Sequence, residues 1–300
     1  MKSRKRKQLQ SQIDPNKTTT DNAEPYPDHP LPTPQDCQAV MDSLFSLHGF
    51  PPEFAKYRCQ RLKSISPDLT TKISPPPINV GSQDAVKSQT SVEHEHEESV
   101  LDGLVKTVLS QNTTEVNSQR AFASLRAAFP TWDDVLAAEP KSIENAIRCG
   151  GLAPTKASCI KNILSCLLEK KGKLCLEYLR DLSVDEIKVE LSHFKGIGPK
   201  TVACVLMFHL QQDDFPVDTH VFEIAKAIGW VPATADRNKT YLHLNRRIPN
   251  ELKFDLNCLL YTHGKCCSKC TKKGTNQKGR ASSHGTCAML NYCKNSNVNI

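Results

Sequence analysis

The chain has 300 residues, 38% hydrophobic and 24% charged, with 39 Lys and Arg against 32 Asp and Glu and a formal net charge of +7. That length and apolar content allow one large domain or two smaller ones with polar ends, and exclude a core running the whole length. No apolar run reaches the ~18 residues of a membrane span, and no secretory apolar region opens the chain, so its 13 cysteines are read as thiols of a reducing compartment.

Residues 1–30 are polar and nearly free of large apolar groups, and are expected to be a disordered tail. Its KSRKRK run, Lys2 to Lys7, reads as a nuclear localisation patch or a phosphate-binding arm. Residues 31–63 form an N-terminal helical segment, with helical spacing over 34–48 through Val40, Leu44 and Leu47; Gly49, Pro51 and Pro52 stop that helix. Residues 64–97 are rich in Ser, Pro, Thr and charge and read as a linker.

From 98 to 264 apolar residues recur at three- to four-residue spacing in segment after segment, with no convincing two-residue alternation. The fold class is therefore all-α. Thr131, Ser142, Thr155, Ser183 and Asp218 precede helical runs and are expected to cap them. Cys159, Cys166 and Cys204 sit singly in apolar segments and read as small buried hydrophobes. Residues 265–300 are basic and Cys-rich, without Asp or Glu; like the basic N-terminus, they suit nucleic acid, or simply solubility.

The most informative segment runs from Val184 to His209. An amphipathic helix ends near Phe194, Lys195-Gly196-Ile197-Gly198 makes a tight hairpin, and Pro199 opens an apolar helix. Gly196 and Gly198 permit backbone geometry closed to other residues and keep side chains away from an approaching phosphate; Ile197 plugs the hairpin. Pro199 suits the first helical position, and the amides of that helix start can hold a DNA phosphate, or the segment is an ordinary αα-hairpin turn. Lys200 stands in the first turn, where the helix dipole and apolar neighbours should favour its neutral, nucleophilic amine; otherwise it is a solvated charge. Eighteen positions on, Asp218 precedes the helix that ends at Gly229, as an N-cap or as a carboxylate that also faces a substrate.

The runs FKGIGPKTVACVLMF and FPVDTHVFEIAKAIGWVP resemble the endonuclease III branch of the helix-hairpin-helix, Gly/Pro-Asp superfamily of DNA glycosylases, over residues 101–264. LEYLRDLSVDEIK and the second run also resemble DEMETER-type plant glycosylases. The resemblance implies two helical domains with a cleft between them: a helical barrel over about 112–215, and a second domain joining the residues before Gln111 to those after Asp218. It makes Lys200 the Schiff-base lysine and Asp218 the carboxylate that stabilises positive charge on the sugar. In LSQNT, Gln111 would enter the space left by a flipped base. In the Gly151-Leu152 loop, Leu152 would wedge against the opposite strand, although Ala153-Pro154 replace the family's polar pair; the alternatives are a helix C-cap amide and a loop-packing leucine. Gly196, Ile197 and Gly198 would bind DNA.

The family holds a [4Fe–4S] cluster on C-x6-C-x2-C-x5-C. Here Cys287 and Cys293 keep the last spacing, His284 stands at the second cysteine, and Cys267 with Cys270 are left to complete the set; iron–sulfur, zinc and a lost, metal-free site all stay open. The expectation is a monomeric nuclear DNA glycosylase and AP lyase for double-stranded DNA carrying a damaged base, an oxidised pyrimidine before 5-methylcytosine because the extra domains of demethylases are missing. The alternative is a non-catalytic DNA-binding protein on the same fold.

Overall fold

The computed structural model describes residues 24–65, 98–267, 269–270 and 287–292. Most of the expected tail, nearly all of the linker and Cys293 lie outside the described residues. Those described hold twelve α-helices and no strand, as the periodicity predicts, and no helix among them is long and apolar enough to cross a membrane.

Side chains at the helix starts decide the boundaries. Thr33 and Asp36 form a capping box on α1 (Pro34–His48), which ends at Gly49 with φ +65°. The same segment holds α2 (Ala55–Ile65). Ser99 caps α3 (Val100–Ser110) and Thr114 caps α4 (Glu115–Ala128). Thr131 caps α5 (Trp132–Ala137) as expected. Ser142 and Thr155 do not act as caps. Prolines start their helices earlier: Pro140 opens α6 (Pro140–Ala146), and Pro154 stands in the first turn of α7 (Ala153–Lys171). Ser183 and Glu186 box α8 (Val184–Ser192). Then follow α9 (Pro199–Cys204), running into a π-helical turn over Val205–His209, and α10 (Thr219–Ala227), α11 (Arg237–Arg247) and α12 (Asn250–Cys266).

These helices bury two cores. The first gathers apolar side chains from Val100 to Leu210, and the second joins Cys37, Val40 and Leu44 of α1 to side chains from Phe215 to Met289. The resemblance puts all residues before Gln111 with the second body; the structure divides them. Helix α1 goes to the second core, whereas α3 buries Val100, Leu101, Leu104, Val105, Val108 and Leu109 in the first, where its broad apolar face is covered. A third cluster of Met207, Phe254 and Cys258 with Phe50, Phe54, Tyr57 and Phe208 lies between, so α2, the π turn and α12 meet there.

The π turn is fitted closely to α3. A methyl group on Gly103 would come within 2.4 Å of the His209 ring, and Thr107 Oγ1 lies 3.4 Å from His209 Nε2. Gly103→Ala is expected to cost about 1–3 kcal/mol, because a buried ring must move to admit the methyl. Urea unfolding should show a lower midpoint at an unchanged slope.

Candidate active site

The hairpin between α8 and α9 is held from beneath. Phe194 and Ile197 are buried in the first core, so Ile197 plugs the hairpin as expected, and Lys195 N donates to Asn162 Oδ1 of α7 at 2.8 Å. Gly196 has φ +96°, and a Cβ there would stand 2.9 Å from Cys159 Sγ, so conformation and space both demand glycine. Gly198 is the N-cap of α9, has no side-chain cap, and has open space where a Cβ would be. Lys200 follows in the first turn of α9, exposed rather than covered by the apolar neighbours the sequence suggests.

Two loops arrive beside this helix start. Gln111 ends α3 and donates from Nε2 to Thr201 Oγ1 at 3.1 Å, which brings it next to Lys200. Asn112 then turns the chain with φ +52°. Leu152, before α7, has φ +51° and is 54% exposed. An exposed leucine in a left-handed conformation is costly on both counts. Its side chain belongs to neither buried core. Lys156 joins the two loops from beneath: its buried Nζ donates to Leu109 O at 2.7 Å and to Gly150 O at 2.9 Å.

Asp218 comes from the other core. Its Oδ1 accepts from Val221 N at 2.8 Å, capping α10, and Oδ2 has no hydrogen bond among the described residues. The segment before it is pinned at several points. Phe215 exchanges backbone bonds with the Asn245 amide at 2.9 and 3.2 Å, and Pro216 O accepts from Asn257 Nδ2 at 2.8 Å.

Cys204 lies one turn after Lys200, at the end of α9. Burial pushes its thiol up to about 11; Lys200 opposes the shift, while Asp218 and Asp214 add to it. Tyr261 of α12 is pushed up to about 12 by burial, with Asp218 and Glu115 adding. Cys204, Thr201, Lys156 and Tyr261 were not singled out as site residues from the sequence. Each sits on an apolar helix among ordinary core positions, and only the helical offset of Cys204, four after Lys200, hinted at its place.

A separate group lies at the far end of α12. His263 Nε2, Cys267 Sγ, Cys270 Sγ and Cys287 Sγ all lie within 4.8 Å of one another, a set able to hold a metal ion. Three of the four expected ligands, Cys267, Cys270 and Cys287, are thus brought together; the fourth, Cys293, lies outside the described residues, and His263 stands beside the three. His263 is pushed down to about 4 by burial and by His48, so its imidazole is neutral at neutral pH. Burial works against a Cys267 thiolate, but hydrogen bonds from the Cys270 and Lys269 amides outweigh it and lower the thiol; burial and the neighbouring sulfurs raise Cys270.

Comparison with known proteins gives a consistent result. The family model of HhH-GPD superfamily base excision DNA repair proteins matches residues 105–250. An Arabidopsis thaliana protein named "Putative DNA glycosylase At3g47830" is 63% identical over 97% of this chain and 98% of its own length. Endonuclease III of Sulfolobus acidocaldarius is 28% identical over 64% of this chain and 80% of its own length. DEMETER-like protein 2 of Arabidopsis thaliana is 37% identical over 39% of this chain, but only 9% of its own length. Among solved structures, a trapped endonuclease III–DNA covalent intermediate superposes with a TM-score of 0.56 at 20% identity, covering 88% of this chain and 97% of that chain; at this identity the likeness shows the fold.

The Lys156 clamp is testable through loop order. Lys156→Met should speed amide hydrogen exchange at 110–113 and 150–153, because two buried carbonyls lose their donor. Lys161→Met is the control, since Lys161 Nζ spans Leu136 O and Ala138 O in the same manner away from the site. Equal exchange at the site loops in both variants would show that Lys156 only stabilises the core.

Proposed function

This chain belongs to the HhH-GPD superfamily of base excision DNA repair proteins, and from that premise we propose that it is a DNA glycosylase with AP lyase activity, using Lys200 as nucleophile and Asp218 as the electrostatic partner. The observation that carries the reading is the match of residues 105–250, which include Lys200 and Asp218, to that family's model, with Gln111 hydrogen-bonded to the residue after Lys200.

Backbone amides at the start of α9 hold a phosphate, with Gly198 leaving room for it. The target nucleotide turns out of the duplex at a cost of a few kcal/mol, smallest for a damaged base. Gln111 fills the vacated space, and Leu152 presses on the opposite strand. The Lys200 amine, covered by DNA that was not there before, attacks C1′. The bond from C1′ to the base breaks, and the electron pair leaves with the base. Asp218 stabilises the positive charge that grows on the sugar in that step. The C1′–O4′ bond then opens, the nitrogen giving up its proton and the ring oxygen taking one, to leave an imine that acidifies the C2′ proton; loss of that proton breaks the C3′–O bond and releases the 3′ phosphate, nicking the strand.

The substrate proposed is an oxidised pyrimidine, on the strength of the endonuclease III likeness, which covers most of that protein's length. Removal of 5-methylcytosine is the second reading, favoured by the DEMETER-type likeness, which here is confined to 39% of this chain. The protein is proposed to act as a monomer on double-stranded DNA in the nucleus, with the KSRKRK run as its address. The thiols beyond α12 hold a metal in this reading, a four-iron cluster as the family resemblance implies or a single ion, and no chemical step passes through it.

Lys200→Gln should abolish borohydride trapping and strand nicking while leaving DNA affinity largely intact, because Gln keeps the length but cannot form an imine. A trapped adduct in that variant would exclude Lys200 as nucleophile and with it the lyase reading.

Asp218→Asn should lose orders of magnitude in base release yet less than about 1 kcal/mol of stability, since Asn still caps α10. Single-turnover excision and thermal melts on the same preparation separate the two; near-normal turnover would reduce Asp218 to a cap.

A further inference from the structure

We propose that His263, Cys267, Cys270 and Cys287 bind one Zn²⁺ ion as a structural Cys3His site, in place of a four-iron cluster held by four cysteines. The proposal does not depend on what the protein does to DNA.

The spacing of the donors carries it. Cys270 Sγ and Cys287 Sγ are 3.0 Å apart, Cys267 Sγ and Cys287 Sγ 3.6 Å, and His263 Nε2 lies 3.5 Å from both Cys270 Sγ and Cys287 Sγ. A tetrahedral zinc ion with Zn–S near 2.3 Å and Zn–N near 2.0–2.1 Å sets its ligands about 3.3–3.8 Å from one another. Three of these four edges fall in that range, the Cys270–Cys287 edge is shorter, and all four donors lie within 4.8 Å of one another. A cubane cluster places each thiolate on a different iron, so its ligands face one another across the whole cluster and cannot approach to these distances.

His263 is built to be a ligand. It is 2% exposed, in the last turn of α12, and its Nδ1 lies 2.9 Å from His48 Nε2 of α1. With Nδ1–H donating to His48 Nε2, the lone pair of His263 Nε2 is turned to the three sulfurs. A second residue that fixes tautomer and ring in this way is the usual companion of a ligating histidine. Cys287 is held independently of the metal by the short turn after it. Met289 is fully buried, and Tyr292 OH donates to Ala39 O at 2.9 Å and sits 2.6 Å from Ser43 Oγ, both on α1. The ion would therefore join α12 to a segment that α1 already anchors. On binding, each protonated thiol gives its proton to solvent and its sulfur lone pair to zinc; His263 gives up none, because its proton stays on Nδ1.

The test uses the full chain, expressed with zinc and iron both supplied and purified without oxygen. Metal analysis should find one zinc per chain and no stoichiometric iron, and zinc X-ray absorption should fit three sulfurs and one nitrogen. Cys293→Ser should keep its zinc, Cys287→Ser and His263→Ala should lose it, and His48→Ala should bind it about 10–100-fold more weakly. Should the ligand variants fail to fold, the wild-type absorption spectrum and Cys293→Ser still decide. Brown protein with about four irons per chain, loss of metal in Cys293→Ser, a four-sulfur zinc spectrum, or active protein with no metal at all each overturns the proposal.

Discussion

One buried carboxylate holds the two halves of this molecule in register. Asp214 lies where the chain leaves the first core for the second and is almost wholly buried. Lys188 of α8 donates to its Oδ2 at 3.1 Å from the first half, and Tyr241 of α11 at 2.9 Å from the second, while Oδ1 accepts from Phe215 N. A buried charge of this kind adds little net stability, but losing one partner strands it at high cost, so the geometry is enforced. Four residues later comes Asp218. The segment between them is pinned as well by Asn245 and Asn257.

The same logic repeats around the site: polar groups buried at helix ends set the position of exposed ones. Lys156 spends its ammonium on two backbone carbonyls, and Gln111 and Leu152 stand above it. Gly196 and Cys159 fit too closely for any other residue at the hairpin. The left-handed turns at Asn112 and Leu152 are tolerated because the elements beneath them are fixed.

Much of this was legible in the chain. The helical class followed from spacing, and Thr131, Ser183 and Asp218 announced their helices because a capping side chain acts within three residues of itself. Ser142 and Thr155 misled for a local reason too: a nearby proline, with its fixed φ and absent amide proton, favours a helix start where it stands in the first turn, and it outranks a hydroxyl one or two positions on. The hairpin was readable because two glycines, an isoleucine and a proline each have a backbone reason to be there. His263 was not read as a possible ligand, because a lone histidine in an apolar helix looks like any core residue until the chain brings cysteines from beyond it.

The sequence by itself determined what depends on short-range stereochemistry: the helices, most of their caps, the hairpin, and the chemical types of Lys200, Asp218 and the clustered thiols. Only the tertiary structure decided what depends on residues far apart in the chain. It put α3 with the first core and α1 with the second, set Thr201 against Gln111 across 90 positions, and set His263 against Cys287. Those pairings are fixed by which apolar faces cover one another, a collective property of packing that no local pattern encodes.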